Sequence, residues 1–441
     1  MSCEKSNDIE TYHENEWLSG GSQTVFIEGS GAFSQAFPIL DASKEQVHEI
    51  GDMGFESSFV TAPAPLNYGL GPVFNNVSCV SCHIGDGRGK PPVPGESLQS
   101  LLIRISIPGS DPHGGPLAVP GFGGQLQQKS INGHLPEADV NMIANYLNGY
   151  FSDGSTYELV DPEFVLMNSY ISLPSNLMIS PRVAPPVFGL GLLEAVAEED
   201  IMKFEDENDG NQDGISGKAN RVYNVQKSAY ELGRFGWKAG QPSLRQQTAG
   251  AYNEDMGITN PVFSLESCQS QIQYDQLADD SELTDSLLHA VTFYIQTLAV
   301  PARRSADHPD VLEGKTLFMN VGCGSCHRPS MTTKTNVAFP EMSNQKIFPY
   351  TDMLLHDMGD GLADFRPEYR ASGYEWRTPP LWGIGLTKVV NGHTNFLHDG
   401  RARSLSEAVL WHGGEAEHSR DQYVNMNQDE REKLIKFLES L

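Results

Sequence analysis

The chain has 441 residues, and its 30 basic residues stand against 57 acidic ones, which gives a formal net charge of −27 at pH 7. Such an acidic protein is not expected to bind nucleic acid, whose phosphates attract basic surfaces. No apolar run is long enough to predict a membrane-spanning helix. The length allows two or three domains, and the 43 glycines and 27 prolines predict many loops.

The first sixty residues are polar and weakly patterned, and we predict an arm with a short helix near residues 43–50. Cys3 follows a small residue and precedes a polar stretch, as at the mature start of a bacterial lipoprotein. Two interpretations stay open: a lipid anchor at Cys3 and an incidental thiol. No signal peptide is visible, so we expect the chain to be a trimmed form.

Two short stretches, residues 79–83 and 323–327, read Cys-X-X-Cys-His. In a c-type haem site the two thiols add to the haem vinyl groups, and the adjacent histidine binds the iron. A structural zinc site or a redox dithiol is the alternative for one copy, but two complete copies argue against it. The predicted haem attachment residues are Cys79, Cys82, Cys323 and Cys326, with His83 and His327 as iron ligands.

The surroundings of the two motifs are also repeated. Residues 74–79 read Phe-Asn-Asn-Val-Ser-Cys and residues 318–323 read Phe-Met-Asn-Val-Gly-Cys, which indicates an internal duplication with one haem per half. Because covalent haem is attached outside the cytoplasm, we expect a periplasmic or otherwise extracytoplasmic protein.

A second repeat contains paired prolines. Residues 181–192 and 377–386 share the order Arg, Pro-Pro, aromatic, Gly-X-Gly-Leu, and adjacent prolines hold the backbone extended. We predict that these segments are walls of the haem pockets and that Arg182 and Arg377 contact haem propionates. Solvent-exposed arginines are the alternative.

Helical spacing of apolar residues over 284–298, before Pro301, predicts the closing helix of a first domain. Residues 428–441 repeat that pattern. We therefore predict an arm over residues 1–60, a first haem domain over 61–300 and a second over 301–441. The predicted fold is mainly α-helical, with two cytochrome c-like domains, Gly/Pro-rich loops and some β-structure in the first, including a strand over 101–107.

An acidic loop lies between the paired-proline repeats. Asp209, Asn211 and Asp213 place oxygen ligands at alternate positions around a glycine turn, as in calcium loops. The match is partial because Asn220 stands where such a loop has its bidentate glutamate. Bound calcium and a solvated acidic turn both stay open.

Together these features resemble the di-haem oxidoreductase family, which is related to bacterial dihaem cytochrome c peroxidases and to dihaem enzymes that mature methylamine dehydrogenase. The resemblance spans most of residues 69–420. It implies two haem c cofactors and peroxidase-like chemistry. It is carried by residues 69–74 with the first haem motif, 184–196, 355–359 and 397–405.

In the related peroxidases a methionine on a short helix caps the iron of the C-terminal haem. The corresponding helix here starts with a Ser404–Glu407 capping box, and His412 occupies the place of the methionine. We therefore predict that His327 and His412 both bind the second iron, which should lower its potential. A surface or propionate-contacting histidine is the alternative.

The first half carries a degenerate copy of this element, in which Ala251 stands where His412 stands in the second half. Neither Ala251 nor the adjacent Tyr252 is a strong ligand, so we predict that the first haem can bind a small molecule. His113, His134 and Met178 stay open as rival ligands.

The resemblance also implies a distal glutamate that moves a proton between peroxide oxygens. Gln246, followed by Gln247, aligns with it; an amide can orient peroxide but cannot transfer its proton. Gln246, Gln247 and Tyr252 are the predicted distal residues of the first haem. Peroxide turnover should therefore be slow, unless the nearby Glu254 or Asp255 substitutes.

The predicted function is reduction of a small oxidant, such as hydrogen peroxide, at the first haem, with electrons from a redox partner protein relayed through the second. One alternative is a dihaem electron-transfer cytochrome with both irons saturated. Another is a maturase that oxidises a partner protein, with Trp237, Trp376 or Trp382 as relay candidates.

Overall fold

The computed structural model describes residues 15–276, 281–336 and 339–441, so Cys3 lies outside the described residues. The predicted fold class is wrong. Helices make up only 27% of the chain and strands make up 20%, so the protein is not a mainly α-helical, cytochrome-like structure. The helices predicted near 43–50, over 284–298, after Ser404 and over 428–441 are present, but long irregular segments rich in glycine and proline separate them, because proline removes an amide donor and blocks helix continuation.

The helices are α1 (Ala42–Glu56), α2 (Leu190–Glu194), α3 (Glu198–Ile201), α4 (Leu244–Met256), α5 (Asp285–Gln296), α6 (Pro309–Asn320), α7 (Thr387–Asn391), α8 (Leu405–Leu410), α9 (Glu417–Asn425) and α10 (Gln428–Ser440). The strands are β1 (Thr24–Val25), β2 (Val73–Phe74), β3 (Leu101–Ser110), β4 (Pro116–Leu117), β5 (Gln125–Leu126), β6 (Lys129–Ser130), β7 (Asp139–Tyr150), β8 (Thr156–Met167), β9 (Met178–Val183), β10 (Arg221–Asn224), β11 (Ala229–Leu232), β12 (Val300–Pro301), β13 (Met331–Thr332), β14 (Lys346–Ile347), β15 (Leu355–Asp357) and β16 (Glu375–Arg377).

Two helix pairs repeat one packing geometry. α1 crosses α5, and α6 crosses α10. A glycine lies at each crossing: a Cβ at Gly51 would lie 2.1 Å from the carbonyl oxygen of Ala290, and one at Gly314 would lie 2.0 Å from that of Lys433. Only glycine permits such a close approach, and its recurrence agrees with an internal duplication.

The β-structure is concentrated between the first haem motif and the first paired-proline segment. β3 pairs with β9, β4 and β5, and β7 and β8 form an antiparallel hairpin in which Asp139 faces Met167 and Tyr150 faces Thr156. The turn of this hairpin reaches the second half, because the Ser152 amide donates to the Val424 carbonyl.

Two clusters of buried apolar side chains surround the two haem motifs. The first includes Phe55 and Tyr294, and the second includes Phe318 and Phe437 together with side chains from β3 and β7. The predicted division at residues 60 and 300 stays a prediction. Within the described ranges, no helix has the length and apolar character needed to cross a bilayer.

Candidate functional site

Each Cys-X-X-Cys-His motif lies in the wall of its own cavity. The first cavity, of about 1870 Å³, is lined by Cys79, Cys82 and His83. The second, of about 1270 Å³, is lined by Cys323, Cys326 and His327. Both volumes include the opening to solvent.

The motif histidines are oriented by their neighbours. Nδ1 of His83 donates to the carbonyl oxygen of Pro185 at 2.8 Å, and Nδ1 of His327 donates to that of Tyr350 at 3.0 Å. Burial lowers the pKa of both imidazoles to about 4, so each is neutral at pH 7. A neutral ring that donates from Nδ1 keeps its lone pair on Nε2, as an iron ligand requires.

His412 lines the same cavity as His327. Ser404 caps α8 by accepting the Glu407 amide, and His412 follows the helix with Nδ1 bonded to the Ala408 carbonyl at 2.7 Å. Burial lowers its pKa, so His412 is a neutral imidazole in this cavity, as are His327 and His398, whose pKa values burial lowers to about 4.

The first cavity has α4 where the second has α8. Ser243 caps α4 by accepting the Gln246 amide, and one face of this helix lines the cavity through Gln247, Ala251 and Asp255, spaced four residues apart. Ala251 is eight residues beyond its serine cap, as His412 is beyond Ser404. His113, His134 and Met178 are not among the lining residues.

Two predicted distal residues lie elsewhere. Gln246 donates to the Tyr223 carbonyl at 3.1 Å and accepts the Val225 amide at 2.9 Å, so its side chain is held by the β10–β11 hairpin. Tyr252 is fully buried and packs edge-on against Phe59. Of the three predicted side chains, only that of Gln247 lines the cavity.

A carboxyl group also lines the first cavity. Asp255 accepts a hydrogen bond from Nε2 of Gln125 at 2.7 Å, and burial raises the pKa of Asp255 to about 6 although Arg104 opposes the shift. Glu254, the other named substitute, pairs with Arg104 instead. Asp255 is therefore a cavity group able to change protonation near neutral pH.

Two buried arginines lie between the cavities and line both. Arg377 donates to the carbonyls of Gly236 and Thr378, and Arg88 donates to that of Leu397 at 2.9 Å. Burial lowers the pKa of each guanidinium to about 10.

Neither Arg88 nor Arg377 has an ion pair within the described ranges, whereas Arg182 is already paired with Glu368 at 2.8 Å. Buried cations without a counter-ion suit haem propionates. Sequence reasoning missed Arg88, because a lone arginine in a glycine-rich loop carries no pattern.

Trp237 also lines both cavities. Its Nε1 donates to the Val183 carbonyl at 2.9 Å, and the Arg88 guanidinium lies 5.3 Å from its ring centre. Trp376 lines only the second cavity, where it stacks on His398 at 3.8 Å. Trp382 lines only the first.

His356 lies beside the second motif. Its ring nitrogens bond to Asp352 and Glu415, each at 2.8 Å, and Nδ1 lies 3.5 Å from the Cys326 sulfur. Burial alone would lower the pKa of His356, but Asp352 and the hydrogen bonds outweigh it and raise the pKa well above its usual range. Both ring nitrogens therefore face carboxylates, and His356 forms ion pairs with Asp352 and Glu415.

The predicted calcium residues lie on an exposed loop. Asp209 accepts the Asp213 amide at 2.9 Å, and Asn211 donates to the Asp213 carboxylate at 3.0 Å. Some of the carboxylate oxygens that would bind calcium therefore already accept hydrogen bonds from within the loop.

The chain matches, over residues 12–441, the model of the family described as "Di-haem oxidoreductase, putative peroxidase". It therefore belongs to that family, and its cofactors are haems. The two cavities fit two such groups, because each offers neutral imidazole and both share unpaired guanidinium groups. No curated protein matches the chain.

If His412 binds the second iron, His412→Ala should convert one low-spin haem to high-spin and leave the other unchanged. An electron paramagnetic resonance spectrum of the oxidised holoprotein measures this. His418→Ala, an exposed histidine in the same half, is the control. An unaltered spectrum of His412→Ala would remove His412 from the coordination sphere.

Proposed function

We propose that this protein is an extracytoplasmic c-type dihaem oxidoreductase that reduces a small peroxide-like oxidant at its first haem. The observation that carries the proposal is the inequality of two otherwise similar cavities. His412, which can bind iron, lines the second cavity, whereas Ala251, which cannot, lines the first. One iron would be closed by two histidines, and the other would be open to a ligand.

Haem attachment in this proposal is covalent, through Cys79 and Cys82 in the first half and Cys323 and Cys326 in the second. Because such attachment takes place outside the cytoplasm, we place the protein in the periplasm. A lipid on Cys3 would hold it at a membrane surface.

The bound haems would supply one-electron exchange at both irons and an open coordination position at the first. Hydrogen peroxide, two electrons and two protons yield two molecules of water. The electrons would come from a redox partner protein. Trp237 contacts both cavities and is the side chain we assign to the relay between them.

Asp255 is the group we assign to proton transfer. As a carboxylate it would accept the proton of the bound peroxide and return it to the departing oxygen, which is general acid–base catalysis. Gln247 lies two helical turns away on the same face of α4 and would orient the peroxide through its amide.

The open iron is tested by electron paramagnetic resonance of the oxidised and half-reduced holoprotein with cyanide. We expect one high-spin and one low-spin haem, with cyanide converting only the high-spin signal. Ala251→His should remove the high-spin signal and cyanide binding, because it supplies the ligand that the second half has. Two low-spin signals without cyanide binding would favour an electron-transfer cytochrome.

Asp255→Asn should lower kcat/KM for peroxide by roughly 10²–10⁴-fold, the usual contribution of a positioned proton-transfer group. In the wild-type protein kcat/KM should rise with pH through about 6, since the carboxylate form is required. Glu254→Gln removes a neighbouring charge that does not line the cavity; activity should persist, but the pH profile should move to lower pH, because the Glu254 charge raises the pKa of Asp255. Activity of Asp255→Asn equal to wild type would refute the assignment.

We also propose that the acidic loop binds calcium through Asp209, Asn211 and Asp213. A ligand that binds only the folded state stabilises it, by about 2.7 kcal/mol at 100 times its Kd. A chelator should therefore lower the Tm of the holoprotein, and added calcium should restore it. Asp209→Asn should weaken the response; identical melting under all conditions would leave the loop a solvated turn.

A further inference from the structure

The carbonyl that orients His327 belongs to a residue with unusual backbone geometry. Tyr350 accepts the Nδ1 hydrogen bond of His327 and has a φ of 53°. This left-handed region is unfavourable for a bulky residue and persists only where the surroundings impose it. The hydrogen bond to the proximal imidazole therefore depends on whatever holds Tyr350 in place.

The ring of Tyr350 is held by packing. Its side chain is fully buried, and its ring centre lies 6.1 Å from that of Phe318 and 5.6 Å from that of Phe437. Phe318 in turn lies 6.2 Å from the His327 ring. These aromatic rings hold the tyrosine side chain close to the proximal imidazole.

The hydroxyl group is held by a remote carboxylate. Tyr350 donates through Oη to Glu16, which also accepts from Nη1 of Arg303 and Nζ of Lys315, each at 2.6 Å. Glu16 is 1% exposed. Burial alone would raise its pKa, but Arg303 and Lys315 outweigh burial and hold the pKa below its usual range. Three donors therefore fix an ionised carboxylate.

The corresponding hydrogen bond in the first half goes to the carbonyl of a proline. The carbonyl that accepts the Nδ1 hydrogen bond of His83 belongs to Pro185, and Pro186 follows it. Two proline rings restrict this backbone without help from a distant side chain.

We propose that Glu16, acting through Tyr350, is a positioning residue that sets the hydrogen bond of His327 and with it the reduction potential of the second haem. The inference rests on the proposed binding of His327 to the iron. A strong Nδ1 hydrogen bond makes the imidazole a better donor and favours the oxidised iron. Weakening that bond should raise the potential.

The test is a redox titration of the holoprotein followed by electron paramagnetic resonance. Tyr350→Phe removes only the hydroxyl group, so we expect the potential of the second haem to rise by up to about 59 mV, a tenfold change in the one-electron equilibrium. Glu16→Gln should shift the same haem in the same direction. The first haem is the internal control in each titration.

Tyr252→Phe is the matched control, because Tyr252 is equally buried and belongs to the first core cluster. It should leave the second potential unchanged. A loss of stability in Tyr350→Phe with an unchanged potential and spectrum would overturn the inference. Absence of a histidine-bound second haem in the wild-type protein would instead overturn the proposed function.

Discussion

The cavities depend on one kind of interaction, the hydrogen bond from a buried imidazole Nδ1 to a backbone carbonyl. His83 and His327 each make this bond. His412 makes a third one, to the carbonyl of Ala408 four residues earlier in the chain. Each bond selects the tautomer that leaves the Nε2 lone pair free to bind a metal. Burial keeps the rings neutral, because an apolar cavity disfavours imidazolium.

The two halves use one framework for unequal purposes. A serine-capped helix faces each cavity, but the position eight residues after the cap is Ala251 in one half and His412 in the other. Between the cavities, Trp237, Arg88 and Arg377 line both, and neither arginine has an ion pair among the residues that the structure describes. In the proposed function, this difference of a single side chain divides ligand binding from electron storage while the surrounding structure is retained.

Local spacing carried most of what the sequence could predict: the haem motifs, His412 and the closing helices all depend on neighbours a few residues apart. The fold class was wrong because the β7–β8 hairpin is exposed over much of both faces and has no clean alternation. Gln246 and Gln247 differ by one position, yet one residue on a helix turns the side chain by about 100°. Arg88 and Asp255 reach the cavities only through the packing of segments that are distant in sequence. A local sequence pattern therefore could not predict their positions.

The central claim is that two haems act as one two-electron unit. The most direct measurement is a stopped-flow absorption titration of the fully reduced holoprotein with hydrogen peroxide. One equivalent should oxidise both haems, because peroxide takes two electrons and the reduced protein holds two. Oxidation of only one haem per peroxide, or no reaction before general haem bleaching, would contradict the account.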